Sequence, residues 1–173
     1  MIVAITGTPG TGKTSVSMEL ARLGHVVVDM VALARQKRLI VSPVTRGAPA
    51  TIDVKKLKSV PLPKAKLVFT CSHFSHLLKA DKVIVLRCSP SVLVRRLRSR
   101  GWGNEKVTEN AEAEAIDLIT VEAIGLHRKV YEVDTTHLKP KESARQILEI
   151  VKGAVKGHEP GHVDWSEEIL SWF

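Results

Sequence analysis

The glycine-rich octapeptide Gly7-Thr-Pro-Gly-Thr-Gly-Lys-Thr14 constrains the fold of this chain more than any other feature. It follows a short apolar run over 2–6 and precedes a helical pattern that stops at Gly24. A Gly-x4-Gly-Lys-Thr pattern between a strand and a helix is typical of a phosphate-binding loop (P-loop). Its glycines let successive backbone N–H groups turn inward around phosphate oxygens, and the helix N-terminus adds partial positive charge. This segment therefore predicts a P-loop fold.

Further apolar runs predict four more strands, and helical patterns alternate with them. The strands are expected over 25–29, 66–71, 82–87 and 129–134, and the main helices over 31–37, 91–100, 105–123, 140–151 and, at the end, 164–173. Parallel strands need crossover connections, which helices supply. The alternation therefore predicts a three-layer α/β fold, a five-stranded parallel sheet with helices on both faces.

Composition and cysteine content fit one ordinary globular domain over 1–173. The chain is 44% hydrophobic and 25% charged, and its apolar runs are far shorter than the roughly 20 residues of a membrane span. Cys71 and Cys88 are the only cysteines and form no C-x-x-C pattern, which argues against a disulfide framework or zinc site. We expect a cytoplasmic, reduced protein with no membrane partner.

The formal charge of +8 is concentrated in one segment, 35–66, which carries nine basic residues and a single acid, Asp53. An excess of that kind must face something anionic. A few of these cations, Arg35 among them, could serve an acceptor phosphate. The surplus (Lys55, Lys56, Lys58, Lys64 and Lys66) is better assigned to an outward surface that could meet RNA.

A P-loop alone does not distinguish a GTPase, an ATPase motor and a small kinase. The N-K-x-D segment that guanine recognition needs is missing. Motors usually carry a strand ending in an acid, whereas 66–71 ends without one and the strand-terminal acids are Asp29 and Asp134. A small kinase is the favoured class. Its chemistry depends on positioning and charge, so we expect Lys13 at the β- and γ-phosphates, the Thr14 hydroxyl on Mg²⁺, and phosphate contacts from Arg35 and Arg100.

Several polar residues admit two interpretations. His73 could act at the γ-phosphate or make a structural hydrogen bond, and a metal pair with His76 is disfavoured for lack of a nearby carboxylate. Asp29 could cap the following helix or approach the acceptor nucleotide or Mg²⁺. Arg95, Arg96 and Arg98 could be a solvated helix face or ligands, and Glu109, Glu112 and Glu114 are interpreted first as surface partners of nearby cations. The aromatic residues Trp165, Trp172 and Phe173 could fasten the tail to the core or meet a partner.

Nearly the whole chain resembles the adenylate kinase isoenzyme 6 family, small adenylate kinases and ATPases linked to small ribosomal subunit maturation, and in particular its archaeal members. Beyond the P-loop, the resemblance rests on five segments: Val83-Ile-Val-Leu-Arg-Cys88; Arg95-Arg-Leu-x-x-Arg-Gly-Trp102; Lys106-Val-x-Glu-Asn110 with Glu112-Ala-Glu114; Glu132-x-Asp-Thr-Thr136; and Gly161-x-Val-Asp-Trp-Ser-Glu-Glu168.

The resemblance implies an acceptor-nucleotide region at about 30–52 and a lid at about 99–109. It also implies that the donor phosphates of ATP are held by Gly10, Gly12, Lys13, Thr14 and Ser15, that Arg100 is the lid arginine, that Lys139 contacts the nucleotide and that Arg35 meets the acceptor monophosphate. The family carries a carboxylate-x-His element after its third strand, which here reads Cys71-Ser72-His73. The histidine matches and the acid does not, so weaker ATPase activity is expected.

Three functional hypotheses follow. The first is a nucleoside monophosphate kinase that uses Mg-ATP and AMP or a related acceptor. The second, taken from the resemblance, is a nucleotide-switched assembly factor that binds the small-subunit ribosomal protein uS11 and rRNA. The third is a kinase of another small metabolite.

Overall fold

The protein is built around a five-stranded parallel sheet, as the sequence predicts. The computed structural model describes residues 1–42 and 51–170. The strands of the sheet are β1 (Ile2–Thr6), β2 (Val26–Asp29), β5 (Val68–Cys71), β6 (Lys82–Arg87) and β7 (Val130–Asp134), in the order β2-β5-β1-β6-β7. All adjacent pairs run parallel. The expected α/β P-loop architecture is confirmed.

Helices cover both faces of this sheet. They are α1 (Lys13–Arg22), α2 (Met30–Gln36), α3 (Val54–Leu57), α4 (Pro90–Arg98), α5 (Asn104–Ala115), α6 (Leu118–Leu126), α7 (Pro140–Lys152) and α8 (Ser166–Leu170), with a 3-10 turn at Ser75–Leu77. Helices α1 and α7 pack on one face, around Val3, Phe69, Ile84 and Ile147. On the other face, Ala123 of α6 packs against Val83 and Val85. The phosphate loop therefore lies at the carboxyl edge of a fully covered sheet.

Two features differ from the sequence predictions. Strands β3 (Ile40–Ser42) and β4 (Thr51–Ile52), which were not expected, pair antiparallel. The single helix expected over 105–123 is divided between α5 and α6 by Asp117, whose φ is 56°. The carboxylate of Asp117 accepts a hydrogen bond from Arg87, a buried residue of β6. This long-range contact offsets the cost of the left-handed conformation, which has no signal in the local helical pattern.

None of the helices in the two described ranges is long and apolar enough to cross a membrane.

Candidate active site

The phosphate loop has a backbone that only glycine accommodates at two of its positions. Gly7 and Gly10 have φ values of 135° and 98°. A Cβ on Gly7 would lie 2.3 Å from the Leu86 carbonyl oxygen, and one on Gly10 would lie 2.6 Å from Leu93 Cδ1. Gly12 caps α1, so the first N–H groups of that helix have no partner within the helix. The loop therefore presents free backbone donors of the kind that bind phosphate oxygens.

Lys13 is folded back onto this loop. Its Nζ donates to the carbonyl oxygens of Gly7 and Thr8, at 2.6 and 2.9 Å. Burial lowers the pKa of Lys13 to about 8, and the neighbouring guanidinium of Arg100 acts in the same direction, against the opposing influence of Cys71 and Glu114. An anionic phosphate at the loop would restore the ordinary preference for the ammonium form.

A cavity of about 250 Å³ lies beside the phosphate loop and brings together four of the residues that the sequence selected. Gly10, Gly12 and Ser15 line it from the loop and from α1, and Arg100 lines it from the residues after α4. Thr14 lies between these residues in the chain, in the first turn of α1, and its side chain is exposed. The structure therefore places phosphate donors and a guanidinium around one cavity.

Arg96 also lines this cavity. Its guanidinium donates to the carbonyl oxygens of Thr135 and Thr136, at 2.7 and 3.2 Å. Arg95 and Arg98 are exposed instead. In the helix expected over 91–100, Arg96 and Arg100 are four residues apart and so would share one side, and this spacing is the signal that could have selected Arg96 from the sequence.

The Cys71-Ser72-His73 element follows β5, next to the phosphate loop. Cys71 Sγ lies 3.9 Å from the Lys13 carbonyl oxygen, and burial raises the pKa of the Cys71 thiol. A neutral thiol therefore lies at the position where the family resemblance implies a carboxylate. Desolvation lowers the pKa of His73, and the charge of Lys13 adds to this effect, so His73 is a neutral imidazole near the loop.

His76 has a structural role. Its Nδ1 lies 2.8 Å from the Thr6 hydroxyl and its Nε2 lies 2.9 Å from Glu122 Oε2, and the residue is 2% exposed. Within 1–42 and 51–170 there is no group of three or more His, Cys, Asp or Glu side chains that could hold a metal ion. The disfavoured histidine metal pair has no support.

The two strand-terminal acids are engaged in local turns. Asp29 Oδ1 accepts hydrogen bonds from the N–H groups of Val31 and Ala32, at 2.8 and 3.0 Å, and so caps α2. Asp134 Oδ1 accepts from the N–H and hydroxyl of Thr136. Of the two interpretations of Asp29, the structure shows the helix cap.

Besides Lys13, Thr14 and His73, two further predicted site residues, Lys139 and Arg35, lie outside the lining of this cavity. Lys139 is the exposed residue before α7, and its N–H donates to Glu142 Oε2 at 2.7 Å. Its neighbours Leu138 and Pro140 line the cavity, whereas Lys139 does not. Arg35 is exposed near the end of α2 and lines neither this cavity nor a second one of about 360 Å³ beside Met30, Leu57 and Thr70.

Glu114 is the residue whose surroundings were most wrongly predicted. It is 2% exposed and accepts a hydrogen bond of 2.5 Å from the Thr8 hydroxyl of the phosphate loop. The interpretation of Glu114 as a surface partner of helix cations is wrong, because α5 packs with this side chain inward against β6. Its place in the Glu112-Ala-Glu114 segment of the family resemblance was the available signal.

The basic segment forms an exposed face. Eight of its nine cations lie in the described ranges and are exposed, namely Arg35, Lys37, Arg38, Lys55, Lys56, Lys58, Lys64 and Lys66. Arg46 lies outside those ranges, as do Trp172 and Phe173 of the tail. Lys56 pairs with Asp53 at 3.3 Å, and the other seven cations have no ion pair within the described part of the chain.

Comparison with known proteins agrees with this geometry. The AAA domain family model matches residues 3–117. A shikimate kinase from Acinetobacter baumannii shares the fold, with a TM-score of 0.60 at 14% identity over 88% of this chain and 93% of its own.

Two relatives match almost end to end, and both bear the name "Putative adenylate kinase". The protein from Archaeoglobus fulgidus is 41% identical over 175 residues, which cover 98% of this chain and 94% of its own. The protein from Thermococcus kodakarensis is 44% identical over 178 residues, which cover 99% of this chain and 98% of its own. The narrower resemblance to isoenzyme 6 stays a prediction. This chain belongs to the archaeal adenylate kinase family that these two relatives represent.

Proposed function

We propose that this protein is a nucleoside monophosphate kinase that transfers the γ-phosphoryl group of ATP to AMP or a related nucleoside monophosphate. The observation that carries the proposal is the convergence of the Lys13, Arg96 and Arg100 side chains on one glycine-built phosphate loop. The family of the chain supports the same reaction class.

The reaction is a direct displacement. An oxygen of the acceptor phosphate attacks the γ-phosphorus as the bond to the β–γ bridging oxygen breaks, so no covalent enzyme intermediate is needed. Lys13 and Arg100 offset the charge that develops on the transferring group. Arg35 is assigned to the acceptor phosphate, Lys139 to the nucleotide, and the 99–109 lid to the exclusion of water.

The donor phosphates would bind with Mg²⁺, whose charge would neutralise part of theirs. The Thr14 hydroxyl, exposed in the first turn of α1, is the side chain of this protein that would ligate it. A single hydroxyl fits, because Mg²⁺ in kinases takes most of its ligands from phosphates and water. ATP hydrolysis is the side reaction in which water replaces the acceptor, and His73 is assigned to orient that water. The neutral Cys71 thiol supports a low hydrolysis rate.

The test is ADP formation from ATP and AMP. Lys13→Ala and Arg100→Ala should each lower kcat/KM about 100-fold or more, since each removes a charge that stabilises the transition state. Arg95→Ala is the matched control, because Arg95 is an exposed arginine of α4 outside the cavity lining, and it should retain full activity. Full ADP formation by Lys13→Ala would contradict the proposal. Turnover of a small metabolite without any nucleoside monophosphate would favour the third hypothesis.

A second candidate function rests on the exposed lysines of the basic face. Seven unpaired cations exceed what one nucleotide can use, and their exposure suits a polyanion. We propose that this face contacts small-subunit rRNA during subunit maturation, with uS11 as the protein partner and ATP hydrolysis as the release step.

RNA binding would be measured against salt concentration. A Lys55→Gln, Lys58→Gln, Lys64→Gln variant should bind small-subunit rRNA more weakly and with a salt slope reduced by about 3, one per lost phosphate contact. Lys152→Gln, an exposed lysine of α7, is the control. The second function fails if neither uS11 nor rRNA is retained in any nucleotide state. An RNA affinity that does not change with salt would show that the lysines are not the contact.

A further inference from the structure

Glu114 receives hydrogen bonds from three separate segments of the chain. Its Oε2 accepts from the Thr8 hydroxyl at 2.5 Å. Its Oε1 accepts from Arg87 Nε at 2.7 Å, from the Cys88 N–H at 3.1 Å and from Trp165 Nε1 at 3.4 Å. One buried carboxylate therefore connects the phosphate loop, strand β6 and the segment near the C-terminus, and it belongs to the helix that begins in the lid region.

Thr8, the phosphate-loop residue that Glu114 holds, also takes part in the hydrogen bonds that shape this loop. The Thr8 carbonyl oxygen accepts from Lys13 Nζ at 2.9 Å, from the Thr11 N–H at 3.2 Å and from the Thr11 hydroxyl at 2.9 Å. Its side chain, which is 2% exposed, is held by Glu114. Hydrogen bonds thus hold both the carbonyl group and the side chain of Thr8. Because Glu114 holds the side chain, a residue outside the loop helps to orient the peptide whose carbonyl binds Lys13.

The segment near the C-terminus is held through Arg87, the buried residue that also donates to Glu114. Glu132 Oε2 accepts from the N–H groups of Gly161 and Val163, at 3.0 and 3.3 Å, and its other oxygen accepts from Arg87. The Arg87 guanidinium carbon lies over the Trp165 ring, 6.0 Å from the centroid of that ring. Arg87 is thus shared between a carboxylate that holds the tail, Glu132, and a carboxylate that holds the loop, Glu114.

We propose that Glu114 is a positioning residue for the phosphate loop, acting through the Thr8 hydroxyl, and that segment 161–165 contributes to ATP binding through Glu114. This inference rests on the proposed use of ATP. Glu114 itself is buried away from the loop's free donors, so its influence on ATP passes through Thr8. A hydrogen bond to a charged group typically contributes enough for about a tenfold or larger change in affinity.

Thr8→Val and Thr8→Ser form the matched pair that tests it, because valine keeps the shape of threonine without the hydroxyl and serine keeps the hydroxyl. Thr8→Val should raise the KM and the dissociation constant for ATP about tenfold and leave the KM for AMP unchanged, while Thr8→Ser retains most of the wild-type affinity. A merely structural role would lower the active fraction, and hence kcat, equally for both substrates. Equal ATP affinity in Thr8→Val and Thr8→Ser would overturn the proposal.

A second measurement, of amide hydrogen exchange, addresses the tail and does not depend on turnover. In the nucleotide-free protein, Trp165→Phe removes the Nε1–H donor and keeps an aromatic ring beside Arg87. Amide hydrogen exchange of residues 7–14 should then accelerate, as it should in Thr8→Val, and the ATP dissociation constant should rise with it. Unchanged exchange and unchanged ATP affinity in Trp165→Phe would exclude the tail from the connection. A wild-type protein that binds ATP and forms no ADP would overturn the kinase proposal alone.

Discussion

ATP affinity should fall as the pH rises above 8, because Lys13 loses its proton. Burial holds the pKa of Lys13 at about 8 in the nucleotide-free protein, against its ordinary value of 10.5. The protonated fraction is then about one half at pH 8 and about one tenth at pH 9. If ATP binds the ammonium form, its dissociation constant should rise about tenfold between pH 7 and pH 9. The bound phosphates raise the pKa of Lys13, so the decline continues until the pH reaches that higher value.

Calorimetric titration of the protein with ATP at several pH values is the appropriate assay. ATP is fully ionised over this range, since its terminal phosphate has a second pKa of about 6. The Lys13→Ala variant is the control, and its weak residual affinity should not change with pH. Constant affinity in the wild-type protein from pH 7 to pH 9 would refute the argument, as would an equal slope in Lys13→Ala.

Folding stability gives an independent check on the sign. The pKa of Lys13 is lower in the folded chain than in the unfolded chain, so the unfolded state binds more protons between pH 8 and pH 10.5. The contribution of Lys13 to the free energy of unfolding therefore rises with pH through this window. The loss of ATP affinity expected at pH 9 is thus opposite in sign to the effect of Lys13 on stability, so unfolding caused by deprotonation of Lys13 would not account for it.

Two further predictions concern the loop and the buried ion cluster. Gly10→Ala should weaken ATP binding about tenfold or more, as measured by calorimetry. A Cβ at φ 98° would lie 2.6 Å from Leu93 Cδ1 and force the loop out of shape. Unchanged affinity would mean that the loop does not hold phosphate. Arg87→Met should lower the free energy of unfolding in urea by about 3–5 kcal/mol, since Glu114 and Glu132 would remain buried without a counter-charge. A loss below about 1 kcal/mol would contradict this reasoning.

The local parts of the structure could be predicted because their signals are local. The octapeptide 7–14, with its flanking strand and helix, is recognisable since the conformational freedom of glycine and the position of Lys13 act over a few residues. The same holds for the β-rich apolar runs and their alternation with helical patterns, which led to the parallel sheet. The assignment of Lys139 comes from family resemblance and that of Arg35 from its place after β2 together with the resemblance, and no contact within 1–42 and 51–170 tests them.

Local sequence patterns were enough to predict a phosphate loop at the edge of a parallel α/β sheet, with Lys13 in the loop and Arg100 near it. Which carboxylates face inward depends on long-range contacts and could be seen only in the folded protein. The pattern around Glu114 and Asp117 is that of an exposed helix, and no local rule distinguishes it from one. Arg87, 27 and 30 residues away, binds both carboxylates and keeps that of Glu114 in the interior. Burial of a charge depends on a counter-charge that the chain brings close only when it folds, and this is why the support of the phosphate loop was visible only in three dimensions.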